Sequence, residues 1–127
     1  MAIEGTCLCG AVSVSANRVP RTVTQCNCTT CRKYGTLWAY YQRSAIAISG
    51  KRQSYLRKRG GLRFMRCATC GAIINWESPG HSRVGINARL FDAVQIANTK
   101  ISVLDGDKSW RVIESYRKPH IFISPHR

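Results

Sequence analysis

Seven cysteines constrain this chain more than any other feature, because they fall into three tight groups: Cys7 and Cys9; Cys26, Cys28 and Cys31; Cys67 and Cys70. Thiols gathered in this way either cross-link or bind metal. Cross-linking fits poorly, since the count is odd and neighbours two positions apart cannot pair comfortably. The opening residues Met1-Ala2-Ile3-Glu4-Gly5 carry neither a basic segment nor a long apolar one. We therefore expect no secretory leader and a cytoplasmic, reducing location that keeps thiolates available for metal, with disulfides the minor alternative.

Cys67-Ala68-Thr69-Cys70-Gly71 spaces two thiols three positions apart and follows them with glycine. This is a tight knuckle whose backbone N–H groups can face the sulfurs, and zinc is its usual occupant. Such a pair supplies half of a tetrahedral site. Cys7-Leu8-Cys9-Gly10 is the natural complement, and the two pairs together predict a structural zinc site with ligands Cys7, Cys9, Cys67 and Cys70. Cys26-Asn27-Cys28-Thr29-Thr30-Cys31 then leaves three thiols and no eighth cysteine to close a second shell. Three protein ligands and one exchangeable position make the pattern of a catalytic zinc, held less tightly than the first ion. There it would favour the thiolate form of an incoming thiol. The competing arrangement closes the second site with His81, His120 or His126.

With 127 residues and no low-complexity linker or repeat, the chain is expected to form one domain over 1–127. Short alternating runs predict strands: Ala11 to Ser15, Leu37 to Tyr41, Ala45 to Ser49, Gln53 to Leu56, Leu62 to Arg66, Ala72 to Trp76, Ser82 to Ile86, Ile101 to Leu104 and Trp110 to Ile113. Helix is confined to one turn over Thr30 to Tyr34 and a short helix over Leu90 to Ala97. The fold class is therefore mainly β, with packed sheets and few helical turns. The tail from about residue 117 is expected to run extended over the surface. No apolar run is long enough to span a membrane.

At this point the sequence resembles the glutathione-dependent formaldehyde-activating enzyme family, whose members include bacterial enzymes and the vertebrate centromere protein V. The matching residues are Gly5-x-Cys7-x-Cys9-Gly10-x-Val12, Cys26-x-Cys28-x-x-Cys31-Arg32-Lys33, Gly35, and Cys67-x-x-Cys70-Gly71. The resemblance implies a zinc-bearing fold of folded-over β-sheets shared with a small Rab-binding chaperone. It also implies structural ligands Cys7, Cys9, Cys67 and Cys70, and catalytic ligands Cys26, Cys28 and Cys31. The implied reaction adds the glutathione thiol to formaldehyde to give S-hydroxymethylglutathione, a step classed with the carbon–sulfur lyases. Two positions depart from the family pattern: Asn27 stands where many relatives have His, and Arg66 where many have Phe before the knuckle. Neither departure removes a ligand, but both bear on the substrate.

Beside the three thiols, Arg32 is a candidate to pair with a carboxylate of an anionic thiol, with Lys33 a weaker one. Trp38, Tyr40 and Tyr41 lie on one predicted strand, so one face fills core while the other can wall the zinc pocket, and Trp38 is a second substrate-binding candidate. Trp76 and Trp110 read as packing residues. The formal charge is +14, and no acidic residue occurs between Glu4 and Glu77. Metal-bound thiolates would reduce this to about +11. The run from Lys51 to Arg66, with Arg57-Lys58-Arg59-Gly60-Gly61 as a basic hairpin loop, supports a rival function: a non-enzymatic zinc-stapled module binding nucleic acid through phosphates. Neither paired cysteine-and-histidine finger spacing nor a helix-turn-helix pattern accompanies it, so it stands second.

Overall fold

The computed structural model describes residues 2–57 and 61–123. Strands β1 (Ile3–Thr6), β2 (Ser13–Ala16) and β5 (Ile46–Ser49) form a small antiparallel sheet with β2 in the middle. The larger sheet contains β3 (Thr22–Cys26), β4 (Trp38–Gln42), β6 (Arg52–Leu56), β7 (Arg63–Cys67), β8 (Ile73–Glu77), β9 (Arg83–Asn87), β10 (Lys100–Leu104) and β11 (Val112–Tyr116). Its spatial order is β11-β10-β3-β4-β9-β8-β7-β6. Every pairing in it is antiparallel except β3 with β10. Parallel neighbours need a long crossover. Here the connection runs from α1 (Thr29–Tyr34) to α2 (Ala93–Ile96) and carries six intervening strands of both sheets. The mainly β expectation holds.

Period-two burial builds the main core. Ile3, Val12 and Val14 from the small-sheet region share one cluster with Val23, Ala39, Tyr41, Ile74, Val84, Ile86 and Ile101 from the large sheet. Burying each large aliphatic side chain of this kind stabilises the fold by about 1.5–3 kcal/mol relative to leaving it exposed. On β4, Ala39 and Tyr41 face this core, whereas Trp38 and Tyr40 face a second, smaller cluster with Cys26, Cys31 and Phe64. The alternation expected over this strand is present, and its second face belongs to the site.

Four expectations change. Strand β3 was not singled out, because Val23 is the only aliphatic residue in Thr22-Val23-Thr24-Gln25-Cys26, yet it is an interior strand paired with both β4 and β10. The last strand begins at Val112 rather than Trp110: the Trp110 N–H turns back to the Asp105 carbonyl at 2.7 Å with a backbone φ of 59°. Leu90 to Ala97 is not one helix, since Phe91 bridges Gly5 and packs into the core, leaving Asp92 to cap the single turn Ala93–Ile96. The tail does not simply run extended, for Pro119–Ile121 forms a 3-10 turn and Ile121 and Phe122 pack against the core. Strands β6 and β7 do form the expected hairpin, with Lys58, Arg59 and Gly60 outside the described residues, as are Pro125 and His126. Among the described residues, no helix is long and apolar enough to cross a membrane.

Candidate functional site

Each cysteine group sits where a strand ends and the chain turns. Cys7 follows β1, and its sulfur accepts the Val12 N–H at 3.3 Å. Cys67 ends β7, and its sulfur accepts the N–H groups of Thr69 and Cys70, both at 3.4 Å. The knuckle geometry is thus the one expected from the spacing. Cys7, Cys9, Cys67 and Cys70 come together with all four sulfurs within 4.8 Å of one another. The Cys7–Cys9 and Cys9–Cys67 sulfur separations are 3.6 and 3.7 Å. A tetrahedron of sulfurs about 2.3 Å from a central zinc has edges of about 3.8 Å, so these four ligands fit that ion. The backbone N–H groups of Ala72 and then Cys9 hold the Cys70 thiol down at about 6, which favours the thiolate a metal needs.

The second group is built by β3 and α1. Cys26 closes the strand, Cys28 caps the helix by accepting the Cys31 N–H at 3.4 Å, and Cys31 lies within its first turn. Their three sulfurs also lie within 4.8 Å of one another. The Cys31 thiol holds Cys26 down at about 5, against burial, with the backbone N–H groups of Cys28 and Gly106 adding to the effect. Cys31 is pushed up, first by that same hydrogen bond and then by burial. The Trp38 indole Nε1–H points at the Cys31 sulfur from 3.3 Å. All seven cysteines are free thiols, and among the described residues no histidine joins either group. A three-sulfur set with nearby N–H donors suits a soft or borderline cation.

These three sulfurs open onto a cavity of about 370 Å³, within the size range of small-molecule sites. Its rings are Trp38 and Tyr40 from β4, Phe64 from β7, Trp76 from β8, and Trp110 from the loop before β11. Leu62 and Leu104 complete the apolar wall, and Arg57 and Arg83 supply its cationic groups. Gly85 makes room for this wall, since a Cβ there would lie 2.0 Å from Trp76 Nε1. Gly106 is similarly constrained, because a Cβ would lie 2.4 Å from the Cys26 sulfur.

Sequence reasoning located the thiols and Trp38 but missed most of the wall. Trp76 and Trp110 are not simply packing residues: both line the cavity, and Trp110 is 65% exposed. Arg32 lies outside the cavity and lines a smaller pocket of about 120 Å³ on the other side of Cys31, with Thr36 and Arg89. Asn27, at the position that departs from the family pattern, clamps the loop after β10. Its Nδ2 donates to Asp105 Oδ1 at 3.0 Å, and its Oδ1 accepts the Asp107 N–H at 3.1 Å. No local signal in the sequence links residues so far apart.

With this geometry in view, comparison with known proteins is informative. The glutathione-dependent formaldehyde-activating enzyme family matches residues 2–105, which include both cysteine groups and the first ten strands. The chain belongs to that family. A solved structure of a Rhodobacter sphaeroides protein is similar in fold, with a TM-score of 0.60 and 22% identity over 68% of this chain and 85% of that one. No curated protein matches the chain.

Proposed function

We propose that the protein is a zinc-dependent enzyme of carbon–sulfur bond chemistry that joins a small thiol such as glutathione to formaldehyde. The observation that supports this reading is the contrast in ligand number: a four-sulfur set sized for a closed ion, and a three-sulfur set at the floor of a cavity. Cys7, Cys9, Cys67 and Cys70 would hold a structural zinc, and Cys26, Cys28 and Cys31 a catalytic one, more readily lost. A zinc ion in the second set supplies Lewis acidity that keeps a thiol deprotonated near neutral pH. The chain's own residues do the rest. Trp38 and the Gly106 N–H orient Cys31 and Cys26, the rings exclude water, and Arg83 can meet a thiol's carboxylate. In the reaction the substrate sulfur bonds to the aldehyde carbon, the carbonyl π pair moves to oxygen, and that oxygen gains the proton the thiol gave up.

The rival nucleic-acid module is not favoured. The family is described by an enzymatic activity, and two arginines of the basic run are engaged inward: Arg52 donates to Asn75 Oδ1 at 2.8 Å, and Arg57 stacks over Phe64. The test is metal content and glutathione binding by calorimetry for the native chain and Cys28→Ser. We expect the variant to keep its circular dichroism spectrum and the metal of the four-sulfur set while losing the other ion and glutathione binding. A variant that retains full metal content and binds glutathione normally would overturn the assignment.

A further inference from the structure

The cavity wall is more aromatic than a formaldehyde adduct requires. A single carbon added to a thiol leaves five rings around the sulfurs with little to contact, and the rest of glutathione is amide and carboxylate. Aromatic faces contribute most when they cover another flat, apolar group. The cationic groups lie over two of these same rings. The Arg83 guanidinium lies 4.2 Å from the Tyr40 ring centre, and that of Arg57 lies 5.7 Å from the Phe64 ring centre. Among the described residues, no carboxylate lies within ion-pair distance of Arg83. Stacked on Tyr40, the Arg83 guanidinium retains its in-plane N–H groups for an anion.

Trp110 is the most telling wall residue. Nearly two thirds of its surface is exposed, and its backbone occupies the left-handed region, a conformation that costs of order 1–3 kcal/mol for a residue other than glycine. A specific frame holds it there. Asn27 grips Asp105, Asp105 accepts from the Ser109 N–H and hydroxyl at 3.2 and 3.0 Å, and the Asp105 carbonyl accepts the Trp110 N–H. An exposed indole fixed over a cavity by a strained, well-bonded loop is arranged to cover something. Gly85 serves the same end elsewhere in the wall, where its missing side chain lets Trp76 lie against the sheet.

We infer that the natural product of this site is the adduct of a thiol with an aldehyde bearing a flat apolar body, such as an aryl aldehyde, and that Trp110 determines this specificity. This rests on the thiol-addition reading above and puts a larger aldehyde in the place of formaldehyde as its carbonyl partner. The step balances without an oxidant or reductant. A sulfur lone pair forms the carbon–sulfur bond, the carbonyl π pair moves to oxygen, and the thiol's proton ends on that oxygen to give a hemithioacetal.

Every tryptophan of the chain lines this cavity, so intrinsic fluorescence reports its occupancy directly. The experiment titrates the zinc-loaded full chain with S-benzylglutathione and S-methylglutathione, non-reacting thioethers that stand for the aryl and one-carbon adducts. The benzyl compound is expected to bind roughly tenfold tighter or more, from the extra ring burial. Trp110→Ala should cut that ratio to about twofold, and Trp110→Phe should restore most of it, because a ring remains to stack. Equal affinities for the two thioethers, or a preference that Trp110→Ala leaves intact, would overturn the inference. Unmodified glutathione, titrated against the native chain and Cys28→Ser, separates the two failures. Cys28-dependent glutathione binding with no benzyl preference removes this inference alone, whereas glutathione that fails to bind, or binds regardless of Cys28, removes both.

Discussion

The Cys67 sulfur meets backbone N–H groups and a cysteine of its own group, whereas the Cys31 sulfur meets an indole and opens onto a cavity walled by rings. Both groups turn backbone N–H groups toward sulfur, so the local device is the same. What differs is the surrounding packing. The four-sulfur set joins the turn after β1 to the turn after β7; two of its cysteines, Cys7 and Cys67, belong to the main core, and Cys70 packs against it. The three-sulfur set belongs to the smaller cluster on the other face of β4. Ligand number alone would make one site closed and the other open; the packing adds that loss of the first should cost the fold and loss of the second should not.

The strongest way to break this comparison is Cys70→Ser. Removing one cysteine of the four-sulfur set should lower the melting temperature by at least about 10 °C or render the chain insoluble, because metal bound there would contribute folding energy. If Cys70→Ser melts like Cys28→Ser, the division of roles fails. Next in size is the order of metal loss. A mild chelator should empty the three-sulfur set first, at a rate about 100-fold above the four-sulfur set, as fewer protein ligands hold the ion. Release monitored with a colorimetric indicator should show two phases, with Cys28→Ser removing the fast one.

Two smaller changes sharpen the contrast within the open site. Gly106→Ala places a methyl group against Cys26, so metal affinity of the three-sulfur set should fall about 10–100-fold, the usual cost of disturbing an outer contact, with no loss from the other set. Competition against a zinc-binding dye measures it. Trp38→Phe keeps a ring but deletes the Nε1–H that reaches Cys31. About a tenfold loss of metal affinity is expected, at the lower end of outer-contact effects, and an unchanged affinity would show the indole to be packing alone.

The cysteine groups were legible because knuckles are local: thiol spacing and glycine dictate where N–H groups point, and nothing distant needs to be known. The two faces of β4 were legible for a similar reason, since Trp38 and Tyr40 must share a side that Tyr41 does not. The rest of the site depends on register. Phe64 and Trp76 oppose one another across β7 and β8, Gly85 pairs with Trp76 across β8 and β9, and only that pairing shows why a glycine is needed. Trp110 was misread because its hydrophobicity suggests burial, while the turn closed by Asp105 leaves it exposed. Asn27 registered as a departure from a family pattern, but its work on the 105–107 loop appears only once β10 lies beside β3.

The parallel pairing of β3 with β10 also sets a timetable. A chain leaving the ribosome has made all four cysteines of the four-sulfur set by residue 70, and all three of the other set by residue 31. Yet the neighbour that completes β3, the Gly106 amide and Trp110 all lie beyond residue 99. Since nascent proteins organise from their N-terminal end, the four-sulfur set can come together before β10 has been made. The cavity beside the three-sulfur set takes shape only once residues 100–110 have followed.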